Sequence, residues 1–320
     1  MKMLGLSFGR KMENTEVLVK EALMGAEEVG AGVEFVRVLD YDIRSCRGCI
    51  ACVKSAYSGG EWGDKTGKCV IKDDLHIIEG KIMDCDGMII GAPVFALGPL
   101  GLLKDIADRF GPTHDMGGRI EARKIAIAQG KKGPDERLFK PRATGFISVA
   151  GASTPNWASF GLPLMNLFTF PSHYAVADQM QALSTSKGSV LMNDAVVKRA
   201  RELGRNVAKF MGIPLEQVKW MGDESGICPV CHSNLLTVSS KNPVECPICG
   251  IAGTLEIVGG RIKVIFSKKE QARSRLYFGG KREHFLELSN NFEIGKKEDL
   301  SEVAKRKKKY IGYGEAKKGK

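Results

Sequence analysis

A doubly wound parallel α/β sheet followed by a small, β-rich metal-binding unit is the fold class that this 320-residue sequence predicts, on three observations. Strand-like and helix-like patterns alternate from Met1 to about Phe210. One strand in the middle of that alternation, GMIIGAP, is apolar throughout. Past Gly222 the composition turns to two CPxC elements and β-branched runs. Alternation of this kind gives a parallel sheet with helices on both faces, and a strand covered on both faces has no polar side.

The elements follow in order. MLGLS is a short strand, and Thr15 to about Glu28 is a helix with Leu18, Ala22, Ala26 and Val29 on one face at a period near 3.6. VEFVRVL, after Gly30 and Gly32, is the second strand. A cysteine-rich loop over residues 42–72 comes next, and Asp73 or Asp74 then caps a helix carrying Leu75, Ile78 and Ile82. GMIIGAP is the third strand, and Pro99 opens a helix with Leu102, Leu103, Ile106 and Phe110 on one side. Residues 112–142 mix one short apolar run with charge and turn residues and read as an insertion without an assigned structure. TGFISVAG is the fourth strand and HYAVA the fifth; Val196, Ala200, Leu203, Val207 and Phe210 mark the closing helix. Five strands fit a flavodoxin-like sheet over residues 1–221. Over 222–295, TLEIV and RIKVIF with Gly259-Gly260 as the turn between them describe a small, mostly β, zinc-ribbon-like unit, and 296–320 is a basic tail.

Composition limits the class. At 43% hydrophobic the chain can bury a full core. No charged-then-apolar leader opens it, and no apolar run approaches the ~18 residues of a membrane span, so a cytoplasmic address is the expectation. In a reducing compartment clustered cysteines are metal ligands or redox groups rather than disulfides. Eight of the nine fall into two sets, and the ninth, Cys85, reads as a buried structural thiol. The net charge of +11 is concentrated at the end, where residues 296–320 hold ten basic against four acidic side chains. That tail reads as solvated and partly disordered, with contact to acidic protein, lipid or RNA as its other use.

Ligands of an open α/β sheet settle at the carboxyl ends of the strands. After the first strand, SFGRKMENTE places Ser7, Gly9, Arg10, Asn14 and Thr15 at a helix start, where N–H donors and a positive end suit a phosphate, or where the same residues merely cap the helix. Neither GxxxxGK[ST] nor GxGxxG is present. The third strand ends in GAPVFALGP and the fourth in GASTPNW, whose Phe95 and Trp157 lie either against a flat ligand or in the core. No side chain is nominated as a catalytic acid or base; His114 and His173 read as packing or surface residues.

These pieces, together with CxxCxxC before GKCVIKDD, GAPVFALGPLGLLKDIADRF and ISVAGAS, resemble the NADPH-dependent FMN reductase family from Met1 to about Gly212, above all its iron–sulfur flavoprotein branch. The resemblance implies that the first loop binds the FMN phosphate through Ser7, Arg10, Asn14 and Thr15. It implies that Pro93, Val94, Phe95 and Ala96 run along the isoalloxazine ring, and that Gly151, Ala152 and Ser153 close over it. NAD(P)H as co-substrate and a homodimer or tetramer are implied as well. Phe8-Gly9 departs from the small residue and Pro common in that loop, and the 112–142 insertion is long for the family.

Cys46, Cys49 and Cys52 form CxxCxxC, and sixteen residues separate Cys52 from Cys69. The spacing suits an iron–sulfur cluster on a backbone freed by Gly48, Gly59, Gly60, Gly63 and Gly67, with bare thiols or another metal as the alternative; the resemblance implies a [4Fe–4S] cluster, and the gap before Cys69 is much longer than in that branch's compact motif. Cys228-Pro-Val-Cys231 and Cys246-Pro-Ile-Cys249 are fourteen residues apart, a pair of knuckles that gathers four thiolates around zinc, or around iron as in a rubredoxin-like site. His232 reads as a surface residue rather than a fifth ligand. The predicted function is an FMN-dependent oxidoreductase or electron carrier working between NAD(P)H or a ferredoxin-type donor and a protein or small-molecule acceptor. The other reading is a redox-sensing regulator or scaffold whose ribbon, tail and the patch Arg273, Arg275, Tyr277, Phe278, Lys281 and Arg282 bind nucleic acid or a partner protein.

Overall fold

The computed structural model describes residues 1–57, 68–185, 189–223, 226–240 and 243–316. Gly59, Gly60, Gly63 and Gly67, expected to loosen the cysteine loop, lie outside the described residues, as does the last part of the basic tail.

The chain runs β1 (Lys2–Ser7), α1 (Asn14–Glu27), β2 (Gly32–Arg37), α2 (Ala51–Tyr57), α3 (Leu75–Asp84), β3 (Gly87–Phe95), β4 (Gly98–Pro99), α4 (Gly101–His114), α5 (Met116–Ala128), β5 (Arg142–Val149), α6 (Gly161–Thr169), β6 (Tyr174–Ala182) and α7 (Asp194–Ala208). Five strands form a parallel sheet in the order β2-β1-β3-β5-β6. Strand order reverses between β1 and β3, which puts a crevice at their carboxyl ends. One face of the sheet packs on α1 and α7 through Leu18, Ala22, Ala26, Leu203 and Val207; the other packs on α3, α4 and α6 through Ile78, Ile82, Ile106, Phe110 and Phe168. The first face is thin because α1 and α7 touch backbone to backbone. A Cβ on Gly204 would stand 1.7 Å from the Ala22 carbonyl oxygen, and one on Gly25 would stand 1.9 Å from that of Arg201.

The structure corrects or adds to the sequence reading in three places. Pro99 does not open a helix: with Gly98 it pairs antiparallel to Val94 and Phe95, because Ala96 and Leu97 both take positive φ (47° and 71°) and turn the chain back on β3. Residues 112–142, to which the sequence assigned no structure, carry α5 in their first half. Its buried residues are Met116, Gly117, Gly118, Arg119, Ala122 and Ala126, mostly too small or too polar for a periodicity of large apolar residues to reveal them; the contact is close enough that a Cβ on Gly117 would lie 2.6 Å from the Lys281 carbonyl. The region beyond 222 is less β than its sequence indicated. A three-stranded antiparallel sheet of β7 (Val244–Glu245), β8 (Ala252–Val258) and β9 (Arg261–Ile265) turns at Gly259-Gly260, both with positive φ as a two-residue hairpin requires. Helices α8 (Lys268–Ala272), α9 (Phe278–Gly295) and α10 (Leu300–Lys307) follow, and α9 packs on α5. The last of them lies within the basic tail. Among the described residues no helix is long and apolar enough to cross a membrane.

Candidate functional site: a strand-end cavity and two cysteine sets

The crevice at the sheet's carboxyl edge is a cavity of about 840 Å³. Arg10, Asn14 and Thr15 come to it from the β1–α1 turn, Pro93, Val94 and Phe95 from the end of β3, and Gly151 from the end of β5. Phe8, Gly9, Met12, Glu13, Leu39, Leu100, Val149, Thr185 and Ser189 complete the wall. Ser7, Ala96, Ala152 and Ser153 do not line it. Ser7 is fully buried, and its hydroxyl accepts the Gly9 N–H at 3.2 Å, so it shapes the turn from below.

The start of α1 has the donor chemistry that could hold an anion. Its N-cap residue, Glu13, makes no side-chain cap hydrogen bond, which leaves first-turn N–H donors open toward the cavity. Arg10 stands above them with its side chain 81% exposed and only a loose pair to Glu13 at 3.8 Å. Gly9 permits the turn: a Cβ there would fall 2.5 Å from Thr15 Cβ. Asn14 lines the cavity and also ties two distant segments together. Its Nδ2 donates to the Thr185 carbonyl (3.1 Å) and its Oδ1 accepts the Val190 N–H (2.9 Å), so the amide straps Thr185 and Val190 to the start of α1. Thr185 and Ser189 join the wall through that tether, which no local pattern signals.

Glu16, one turn into α1, is fully buried and ion-paired to Arg37 (2.6 Å) and Lys20 (2.7 Å). Burial pushes its carboxyl up, but the Arg37 and Lys20 hydrogen bonds outweigh that and hold it at about 2. Backbone strain gathers at the same rim. Among the described residues six non-glycine residues have positive φ, and Met12, Ala96, Leu97 and Ser184 among them sit in turns at strand ends around the cavity. Phe95 and Trp157 are 62% and 63% exposed, which removes them from the core.

The two cysteine sets differ. Cys228, Cys231, Cys246 and Cys249 are all buried, with sulfurs within 4.8 Å of one another, and are the one such group of three or more metal-binding side chains among the described residues. Cys228 and Cys249 sulfurs lie 3.6 Å apart and those of Cys231 and Cys246 3.5 Å apart. A tetrahedral ion with metal–sulfur bonds of about 2.3 Å spaces its sulfurs by about 3.8 Å, so the donor set fits one metal ion. Ile251 and Phe266 close around it, and among the described residues no larger core supports this unit. His232 is neither a ligand nor a free surface residue; its ring stacks on Trp220 at 3.8 Å and 17°.

In the first set Cys46 and Cys49 are exposed and Cys52 and Cys69 half-buried, and none is in a disulfide. Their sulfurs are not gathered as closely as the second set. Burial raises the Cys52 thiol, with like-charge repulsion from Cys69 and Cys46 adding to it. Cys85 is fully buried and raised to about 11 by burial, an inert thiol. The basic patch proposed for nucleic acid is largely spent within the protein. Arg273 pairs with Glu270 and Glu283, Arg282 approaches Glu121 at 3.8 Å, and Lys281 is buried, donating to the Ser172 and Leu276 carbonyls.

The family model for NADPH-dependent FMN reductase matches residues 1–158. A flavone synthase of Aspergillus candidus is 30% identical over 299 residues, covering 92% of this chain and 90% of the relative. An iron–sulfur flavoprotein of Methanocaldococcus jannaschii is 27% identical over 219 residues, covering 66% of this chain and 97% of its own. Among solved structures, a flavone reductase superposes over 100% of both chains with a TM-score of 0.80 at 26% identity.

Proposed function

Because the chain belongs to the NADPH-dependent FMN reductase family and is an FMN-dependent oxidoreductase, we propose that its strand-end cavity holds FMN and that its acceptor is a planar aromatic ketone of the flavone class. The observation that carries the reading is the convergence, in one cavity, of an uncapped helix start with Arg10 beside it and of the β3 and β5 ends that offer a flat edge some distance away. The phosphate would rest on the first turn of α1 and Arg10, the ring along Pro93, Val94 and Phe95 with Gly151 opposite. Bound FMN supplies the reversible acceptance of a hydride and its release as single electrons. The chain's part is to exclude water, to fix the ring by backbone turns, and to present exposed apolar surface at Phe95 and Trp157 where a flat substrate or a second copy of the chain would stack.

The flavone assignment rests on extent. The two relatives named for flavones match this chain over nearly its whole length, metal unit included, whereas the iron–sulfur flavoprotein match covers two thirds of it. NAD(P)H is the donor in this reading, with a ferredoxin-type protein as the other source. The unit 1–221 carries the flavin and 222–295 is stapled by zinc. The first cysteine set, four free thiols in the loop that follows β2, has the donor chemistry of a [4Fe–4S] site.

One preparation tests these readings. Protein purified anaerobically should show flavin bands, bleach with NADPH, and recover its colour on addition of a flavone. Protein that takes up no flavin overturns the reading as a whole; flavin that NADPH bleaches and no flavone reoxidises overturns the substrate. Metal analysis on the same sample should give about four iron and one zinc per chain, and iron near one with no zinc would move iron to the second set instead.

A further inference from the structure

Sixteen residues separate Cys52 from Cys69, and nothing in that spacing returns the fourth cysteine to the first three. Helix α4 supplies the return. Arg109, near its end, has a side chain 1% exposed and spends its donors on the base of the cysteine loop. Its Nη1 donates to the Arg44 carbonyl (2.9 Å) and to one Asp73 oxygen, its Nη2 to the other Asp73 oxygen (2.8 Å) and to the Ile71 carbonyl (3.3 Å), and its Nε to Cys69 Sγ (3.3 Å). The two sides of the base are tied to each other as well. Asp73 accepts the Arg44 N–H (2.8 Å), Asp74 accepts the Asp42 N–H (2.9 Å), and the Asp74 N–H donates to the Asp42 carbonyl (3.0 Å).

We infer that Arg109 is the positioning residue of the first cysteine set: it holds Cys69 against the segment that carries Cys46 and Cys52 and donates a charged N–H to the Cys69 sulfur. A guanidinium offers five N–H groups in one rigid plane, so a single side chain can fix residues 44, 69, 71 and 73 together; lysine offers one point charge and cannot. The number of residues between Cys52 and Cys69 then does not enter the spacing of the thiols. A cationic N–H directed at a ligand sulfur also favours the more negative state of whatever centre that sulfur serves, which raises its reduction potential. The inference rests on the proposed reading of these thiols as a ligand set, but the clamp can be tested without a metal.

The test uses the full chain, stripped of metal and reduced, treated with the thiol-bridging fluorophore dibromobimane and mapped by peptide mass. The wild-type chain should bridge Cys69 to Cys46 or Cys52. Arg109→Gln should lose those products while retaining FMN, and Arg109→Lys, which keeps the charge and lacks the fork, should give an intermediate yield. In iron-loaded protein the potential should move negative in R109Q and return part of the way in R109K. Absence of the wild-type bridge, or equal bridging in wild type and variants, overturns the inference; if R109Q does not fold, R109K bridging at the wild-type yield does so alone. A wild-type chain that bridges as expected but binds no iron refutes the cluster and leaves the clamp standing.

Discussion

Gly204→Ala is the sharpest perturbation of the scaffold beneath the cavity. The new Cβ would stand 1.7 Å from the Ala22 carbonyl oxygen, 2.6 Å from its carbon and 3.0 Å from Ala22 Cα, all backbone atoms of the facing helix. Carbon–oxygen contacts of this type relax at about 3.3 Å, so α1 and α7 must part by roughly 1.5 Å. Two effects oppose. Alanine is favoured over glycine within a helix by about 1 kcal/mol. Against it, overpacking costs about 1–3 kcal/mol, and a gap of 0.5–1 Å forfeits a quarter to a half of each dispersion contact along Leu18, Ala22, Ala26, Leu203 and Val207. The strain wins, with a net loss of about 2 kcal/mol or more. Because α1 begins at the turn proposed to hold the FMN phosphate and carries the Asn14 strap, FMN affinity should fall with stability. Guanidinium denaturation followed by circular dichroism, with FMN fluorescence titration on the same samples, measures both. Gly80→Ala is the control: its Cβ would meet nothing within 4 Å, so the same exchange in α3 should stabilise by about 0.5–1 kcal/mol. A G204A protein as stable as wild type would refute the backbone contact of α1 with α7.

Four further outcomes are expected. Arg10→Ala should weaken FMN, most at low salt, and leave riboflavin, which has no phosphate, unchanged in a fluorescence titration; equal loss for both would separate Arg10 from the phosphate. Asn14→Ala removes two hydrogen bonds of about 0.5–1.5 kcal/mol each and should loosen the strap, weakening FMN by roughly tenfold without a comparable loss of global stability. Glu16 has a folded-state pKa of about 2, below its ordinary 4.5, so its stabilising contribution is complete above about pH 4.5 and is lost as pH falls toward 2. Glu16→Gln should therefore be less stable at pH 7 and show a shallower loss between pH 5 and 2 in denaturant midpoints, whereas an unchanged slope would mean that the carboxylate is not ionised there. Cys246→Ser, or removal of the metal by a strong chelator, should expose residues 226–276 to protease while the flavin bands persist, because the four thiols and a thin apolar shell are the core of that unit.

What the sequence disclosed, and what it withheld, divides by how each residue works. GMIIGAP announced a strand covered on both faces, Ala200, Leu203 and Val207 announced the inward stripe of α7, and CPxC pairs announced a four-sulfur site, because in each case side-chain chemistry itself does the work. Helix α5 stayed hidden because its work is done by the absence of side chains: Gly117 and Gly118 let α9 approach, and glycine in sequence reads as a breaker. The hairpin at 95–98 stayed hidden because Ala96 and Leu97 hold positive φ, a conformation their composition does not advertise and the surrounding loops enforce.

The site was legible in the same uneven way. Arg10, Thr15, Pro93, Val94, Phe95 and Gly151 reach the cavity on the strand ends where a parallel sheet places them, so strand order sufficed. Leu39, Thr185 and Ser189 reach it from the ends of β2 and β6, and Thr185 and Ser189 are held there by an amide more than 170 residues away in sequence. Arg109 is the extreme of this class. The sequence reading of its helix rested on Leu102, Leu103, Ile106 and Phe110 and passed Arg109 over, yet Arg109 is buried with an ionised Asp73 held at about 2 against the burial that would raise it. Such a pair, if either partner were lost, would leave a buried charge unanswered, so the loop base depends on both. The feature that made the first cysteine set look ill-spaced and the feature that organises it are therefore separate in sequence and joined only by the packing of α4 beneath the loop.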